Sequence, residues 1–77
     1  MSHWTKLCDS AVDQWCSRVA AAESRADRRS RIEDTKSLMQ QVSEAWDKHG
    51  PGPSNPLRDK TISAFVNGAR SRAMGYS

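Results

Sequence analysis

Ser24-Arg25-Ala26-Asp27-Arg28-Arg29-Ser30-Arg31-Ile32-Glu33 separates two apolar-periodic segments and carries four of the twelve Lys and Arg residues of the 77-residue chain. It reads as a helix stop followed by a helix start. Ser30 and Glu33 have the spacing of a capping box, in which the Ser side chain accepts from the backbone N–H three residues on and the Glu side chain reaches back.

No Gly or Pro lies between Trp4 and Trp46, so propensity alone would allow one rod of roughly 65 Å at about 1.5 Å per residue. The apolar pattern opposes a rod. Trp4, Cys8, Ala11, Val12, Trp15, Val19, Ala22 and Ala26 recur at intervals of three and four, as do Ile32, Leu38, Met39, Val42, Ala45 and Trp46; each set forms one helical stripe. On a continuous helix the two stripe centres would differ by roughly 160°, so opposite faces would need burial at the two ends. Doubling the chain back near the arginine cluster lets the stripes face each other. The expectation is a helix over residues 3–25, a hinge at 26–30 and a second helix over 31–48. The competing arrangement is a long helix whose ends bury in different partners, as in a coiled-coil or swapped dimer.

Gly50, Gly52, Pro51, Pro53 and Pro56 with Ser54 and Asn55 mark an irregular linker at 49–55. Asn55 followed by Pro56 is a helix-start signal, giving a third helix over 56–67 with Leu57, Ile62, Phe65, Val66 and Ala69 on one side. Asn67-Gly68 weakens it, and a basic tail follows over 68–77. The fold class is therefore all-α: an antiparallel two-helix hairpin plus a short third helix, a small three-helix bundle in one domain. The expected core is Trp4, Cys8, Val12, Trp15, Val19, Ile32, Met39, Val42, Trp46, Ile62, Phe65 and Val66, with the Trp4–Trp46 end as its aromatic part. Antiparallel pairing about a turn near residue 27 sets the two positions of each facing pair to sum to about 54.

A chain this short buries only about 60–65% of its unfolded surface, and 36% hydrophobic against 27% charged residues leaves little core to spare. Such a domain gains from a partner, so a homodimer or a hetero-protein partner is expected. Cys8 and Cys16 lie about 12 Å apart along a helix, too far for a disulfide within it; buried, reduced thiols are expected. No apolar run reaches the roughly 18 residues of a membrane span, and early Asp9 and Asp13 do not suit a signal peptide. The expected setting is soluble and cytoplasmic, with no membrane and no small-molecule substrate.

Motifs that carry chemistry are absent. There is no Gly-rich phosphate loop, serine elbow or paired-carboxylate pattern, so no catalytic residue, cofactor or enzymatic activity is expected. His3, Cys8 and His49 are the right elements for zinc but lack a fourth ligand and close spacing, so no metal is expected either. The net charge of +3 is mildly basic, and the basic residues that could meet phosphate or an acidic partner are Arg18, Arg25, Arg28, Arg29, Arg31, Lys36, Arg70 and Arg72. Ser10, Ser17 and Ser24 form a row of small residues at intervals of seven, and with Met74 and Tyr76 they are the candidate protein interface. The residues favour a small non-enzymatic protein-protein interaction module: an adaptor, an accessory subunit, or a phage- or virus-type inhibitor of a host protein. The alternative is a helical dimer that binds nucleic acid, chiefly double-stranded RNA, through the arginine-rich hinge. In general plan alone, two long helices and a shorter third, the chain is similar to small helical dimers that grip duplex RNA by shape.

Overall fold

Cys8, Ala11, Trp15 and Val19 follow one helical face, and in the computed structural model, which describes residues 3–75, all four are buried on one side of α1 (His3–Ala20). Three further helices follow: α2 (Arg25–Glu33), α3 (Lys36–His49) and α4 (Arg58–Ala73). No strand occurs among the described residues. The longest dimension is 40 Å, which excludes a continuous Trp4–Trp46 rod of roughly 65 Å.

α1 and α3 pack against each other in opposite directions. His3 and His49 meet edge to face with ring centroids 5.4 Å apart, Trp4 meets Trp46 at 5.0 Å, and the Trp15 indole N–H donates to the Asp34 carbonyl at 3.2 Å. The facing pairs sum to about 49–52 rather than 54, a shift of a few residues from the expected register. α4 lies across both helices and runs in the same direction as α1. Phe65 sits 6.2 Å from Trp4, and Arg72 reaches Asp13 at 2.6 Å. Leu38, Val19, Val42 and Cys8 are the largest fully buried side chains, and each aliphatic one contributes about 1.5–3 kcal/mol by leaving water.

The expected hinge at 26–30 is inside a helix. α1 stops at Ala20, five residues short of the expected end, although Ala21 and Ala22 are good helix formers. Ser24 explains the stop: it is the N-cap of α2, extended at φ −139° and ψ 165°, and its hydroxyl accepts from the Asp27 N–H at 3.1 Å. Ser30, expected as the cap, lies mid-helix instead, where its carbonyl accepts from Asp34 N–H. A second interruption at 34–35 then separates α2 from α3, and the Trp15 indole is bonded to it through Asp34.

That second interruption corrects the core. Met39 is 45% exposed, whereas Leu38, outside the expected core, is 0% exposed. The physical reason is phase. If Ile32 belonged to the same helix, it would pull the stripe toward Met39. With α3 starting at Lys36, Leu38 falls about 35° from the centre of Val42, Ala45 and Trp46, and Met39 about 65° on the other side, at about 100° per residue. Trp4, Val12, Ile32 and Phe65 are partly buried against the core, and Ala11, Ala45, Ala69 and Ala73 join it.

The linker is held by tryptophan. Trp46 donates its indole N–H to the Gly52 carbonyl at 2.7 Å, and its own carbonyl accepts from Gly50 N–H at 3.0 Å. Gly52 adopts φ +103°, open to glycine and costly for other residues. Asn55, expected to cap the helix, closes the turn before it instead, its side chain accepting from Leu57 N–H at 2.9 Å; α4 starts at Arg58 rather than Pro56, with Leu57 as its N-cap, and Leu57 is 58% exposed. Arg58 then clamps Asp47 of α3 with two bonds, 2.8 and 3.0 Å. At its other end α4 continues through Asn67-Gly68 to Ala73, so most of the expected basic tail is helical. Buried Ala69 and Ala73 extend the Ile62–Val66 stripe, and that burial offsets a glycine cost of about 1 kcal/mol.

Candidate interaction surface

Two extra turns of α4 bring its C-terminal end near α2, and residues of the two line an open groove of ≈ 820 Å³. Its lining is Arg25, Ala26, Arg28, Arg29, Ser30, Ile32 and Glu33 from α2, with Arg70 and Met74 from the end of α4. This is more than twice the ≈ 320 Å³ of the shallow cleft between α1 and α3.

α2 owes its orientation to the two positions that do not line the groove. Asp27 and Arg31, four apart and so on one face, form an ion pair at 3.2 Å. Arg31 also donates to the Arg18 carbonyl at 2.7 Å, satisfying an otherwise open acceptor near the end of α1. From the groove side, Arg28 donates to the Ala73 carbonyl at 3.1 Å and so closes the last turn of α4. No residue of α2 is fully buried, so polar bonds to neighbouring backbone, with partial burial of Ile32, fix its place.

The predicted basic residues therefore divide by role. Arg31 and Arg28 hold helices together, and Arg72 docks α4 on α1 through Asp13, whose hydrogen bond pushes its guanidinium above the ordinary value. Arg18 lines a separate small cleft with Trp15, Arg31 and Asp34, and Lys36 is exposed at the start of α3. Neither lines the large groove. Arg25, Arg29 and Arg70 are exposed within it, and their side chains have no hydrogen bond or ion pair to another described residue. With Arg28 and the single carboxylate Glu33, they give the lining a formal charge of +3 (four guanidinium groups less one carboxylate). Guanidinium groups are donors only, forked to match a carboxylate or phosphate.

The expected protein-interface residues are scattered. Ser10 lines the α1–α3 cleft and accepts from Gln14 at 3.4 Å, Ser17 is exposed on α1, and Ser24 caps α2, which ends the serine row. Met74 is 51% exposed in the groove. Tyr76 lies outside the described residues. Every arginine of the groove is legible in the sequence but their meeting is not, because a third helix expected to end at 67 places Arg70 and Met74 in a tail with no fixed neighbour. The four-residue step from Ala69 to Ala73 was the available signal.

Elsewhere the chemistry is quiet. Burial, and next the Asp9 charge, push the Cys8 thiol up; burial likewise raises Cys16, so both favour the unreactive protonated form. His3 and His49 pair as rings, and among the described residues no three His, Cys, Asp or Glu are grouped to hold a metal ion. No helix among the described residues is long and apolar enough to cross a membrane. No family model, curated protein or solved structure matches the chain.

Proposed function

We propose that the chain is a non-enzymatic protein-interaction module, an adaptor, accessory subunit or phage- or virus-type inhibitor of a host protein, and that its contact surface is the α2–α4 groove. The observation that carries this reading is the set of three unpartnered guanidinium groups, Arg25, Arg29 and Arg70, in one lining with Ala26, Ile32 and Met74. Arginine beside apolar and methionine surface is the composition of interface hot regions. A second copy is a poor occupant, because a two-fold contact would set one positive groove against another. A hetero-partner is the better fit.

The test is a photo-crosslinking side chain placed at Ser30, which is exposed and lines the groove, with Ser63 on the exposed side of α4 as control. In the cells the chain comes from, Ser30 should trap one dominant protein, insensitive to nuclease and lost on Arg25→Glu with Arg70→Glu. Adducts that nuclease removes would replace this reading with nucleic-acid binding, and equal labelling from Ser63 would remove the groove from consideration.

A further inference from the structure

We infer that the groove's occupant is a short acidic amphipathic helix of a partner protein, its carboxylates meeting Arg25, Arg29 and Arg70 and its apolar side resting on Ala26, Ile32 and Met74. This rests on the groove being the contact surface.

The spacing of the donors suits a helix. Arg25 and Arg29 are four residues apart on α2, a rise of about 6 Å, which equals the separation of two carboxylates four apart on a second helix laid alongside. From Arg25 to Glu33 the wall runs about 12 Å, matching roughly two helical turns. Both partners of each ion pair would be partly shielded from water, and the guanidinium fork can bind a carboxylate with two bonds.

The apolar part of the lining selects against a phosphate backbone. Ile32 is half-buried against the core, and Met74, 51% exposed, lines the same groove one turn beyond Arg70. A sugar-phosphate chain has nothing to place against that apolar strip, whereas the leucine or methionine side of an amphipathic helix does, and methionine adapts to varied shapes. Glu33 within the lining repels a continuous run of phosphates but is tolerated by a ligand whose charges are discrete.

The test uses the full chain and four labelled probes in fluorescence anisotropy. The first is an end-capped peptide of about 20 residues, beyond the roughly 12–15 below which an isolated helix is marginal, with Leu at amphipathic spacing and Glu elsewhere. The second has the same composition with the spacing scrambled, the third has Lys for Glu, and the fourth is an RNA duplex of roughly 16 base pairs. The first should bind at least about tenfold more tightly than each of the others, a difference of about 1.4 kcal/mol. Arg25→Glu with Arg29→Glu should remove at least that tenfold, with the thermal melt retained because neither side chain is buried. Should that double variant unfold, Arg70→Gln and Met74→Ser are the substitutes, each expected to weaken binding severalfold. Equal binding of the scrambled peptide would reduce the site to bare charge attraction, tighter binding of the duplex would make it a phosphate surface, and no binding of the first peptide would remove the occupant; any of the three overturns the inference. If Ser30 still crosslinks one protein in cells, the proposed function survives that failure.

Discussion

Truncating Leu38 and Met39 separately asks which way α3 is turned. Leu38 is 0% exposed and Met39 is 45% exposed, although the two are adjacent and both large and apolar. Leu38→Ala removes a fully buried side chain from the core cluster, and comparable core truncations cost about 2–5 kcal/mol. Met39→Ala removes a half-solvated chain whose one polar contact is a weak bond from the Thr35 hydroxyl at 3.9 Å, so its cost should stay under about 1 kcal/mol.

Total stability for 77 residues is roughly 4–12 kcal/mol at about 0.05–0.15 kcal/mol per residue. Leu38→Ala therefore removes a large share and should lower the melting temperature by at least about 8 °C, given about 4–8 °C per kcal/mol for a domain of this size. Urea unfolding followed by far-ultraviolet circular dichroism gives both midpoints, and a common slope shows that the same surface unfolds in each variant. If Met39→Ala costs as much as Leu38→Ala, α3 is rotated from the position described, and the explanation offered for its phase is wrong.

Four further outcomes follow from local geometry and charge. Ser24→Ala should cost about 1 kcal/mol by removing the cap of α2, while Ser30→Ala should be neutral or slightly stabilising; paired urea midpoints separate them. Gly68 is an exposed helical position where an added Cβ would meet nothing within 4 Å, so Gly68→Ala should stabilise by about 0.5–1 kcal/mol. At Gly50 a Cβ would lie 2.9 Å from the Trp46 carbonyl and 3.0 Å from the Trp4 ring, so Gly50→Ala should destabilise by about 1–3 kcal/mol in the same assay. The hydrogen bond from Arg58 holds the Asp47 carboxyl below its ordinary range. A carboxyl depressed in the folded state stabilises above its unfolded pKa, near 3.9, and loses that contribution as pH falls through the folded value. Asp47→Asn should flatten the acid side of the stability profile and leave its neutral-to-basic shape unchanged, read from urea midpoints across pH.

Opposed apolar phases made the reversal of the chain legible, and with it the meeting of Trp4 and Trp46. The phase argument registers only residues that bury a stripe, and α2 has none fully buried. Its nine residues were therefore indistinguishable from a charged hinge, although Ser24, Asp27 and Arg31 stand at cap and ion-pair spacing in plain view. Without α2 as a separate helix, Ile32 falls in phase with the following one and draws Met39 into the expected core in place of Leu38. At the C-terminal end, Asn67-Gly68 is a real local weakness that the burial of Ala69 and Ala73 overrides. Small residues give a faint sequence signal, and here they fix where the groove ends.

The arginines of the groove also expose a division of labour that composition conceals. Arg31 and Arg28 each donate to a backbone carbonyl near the end of another helix, Arg18 O and Ala73 O, so they substitute for burial in seating α2. Removing either should loosen one wall of the groove without emptying the core, because the helix they hold contributes no fully buried residue. Arg25, Arg29 and Arg70 make no comparable bond among the described residues and add like charge along the lining, an arrangement that costs free energy in the isolated chain. An acidic ligand would relieve that repulsion. A domain with so little apolar surface to bury would thereby gain stability on binding, since whatever binds only the folded state stabilises it.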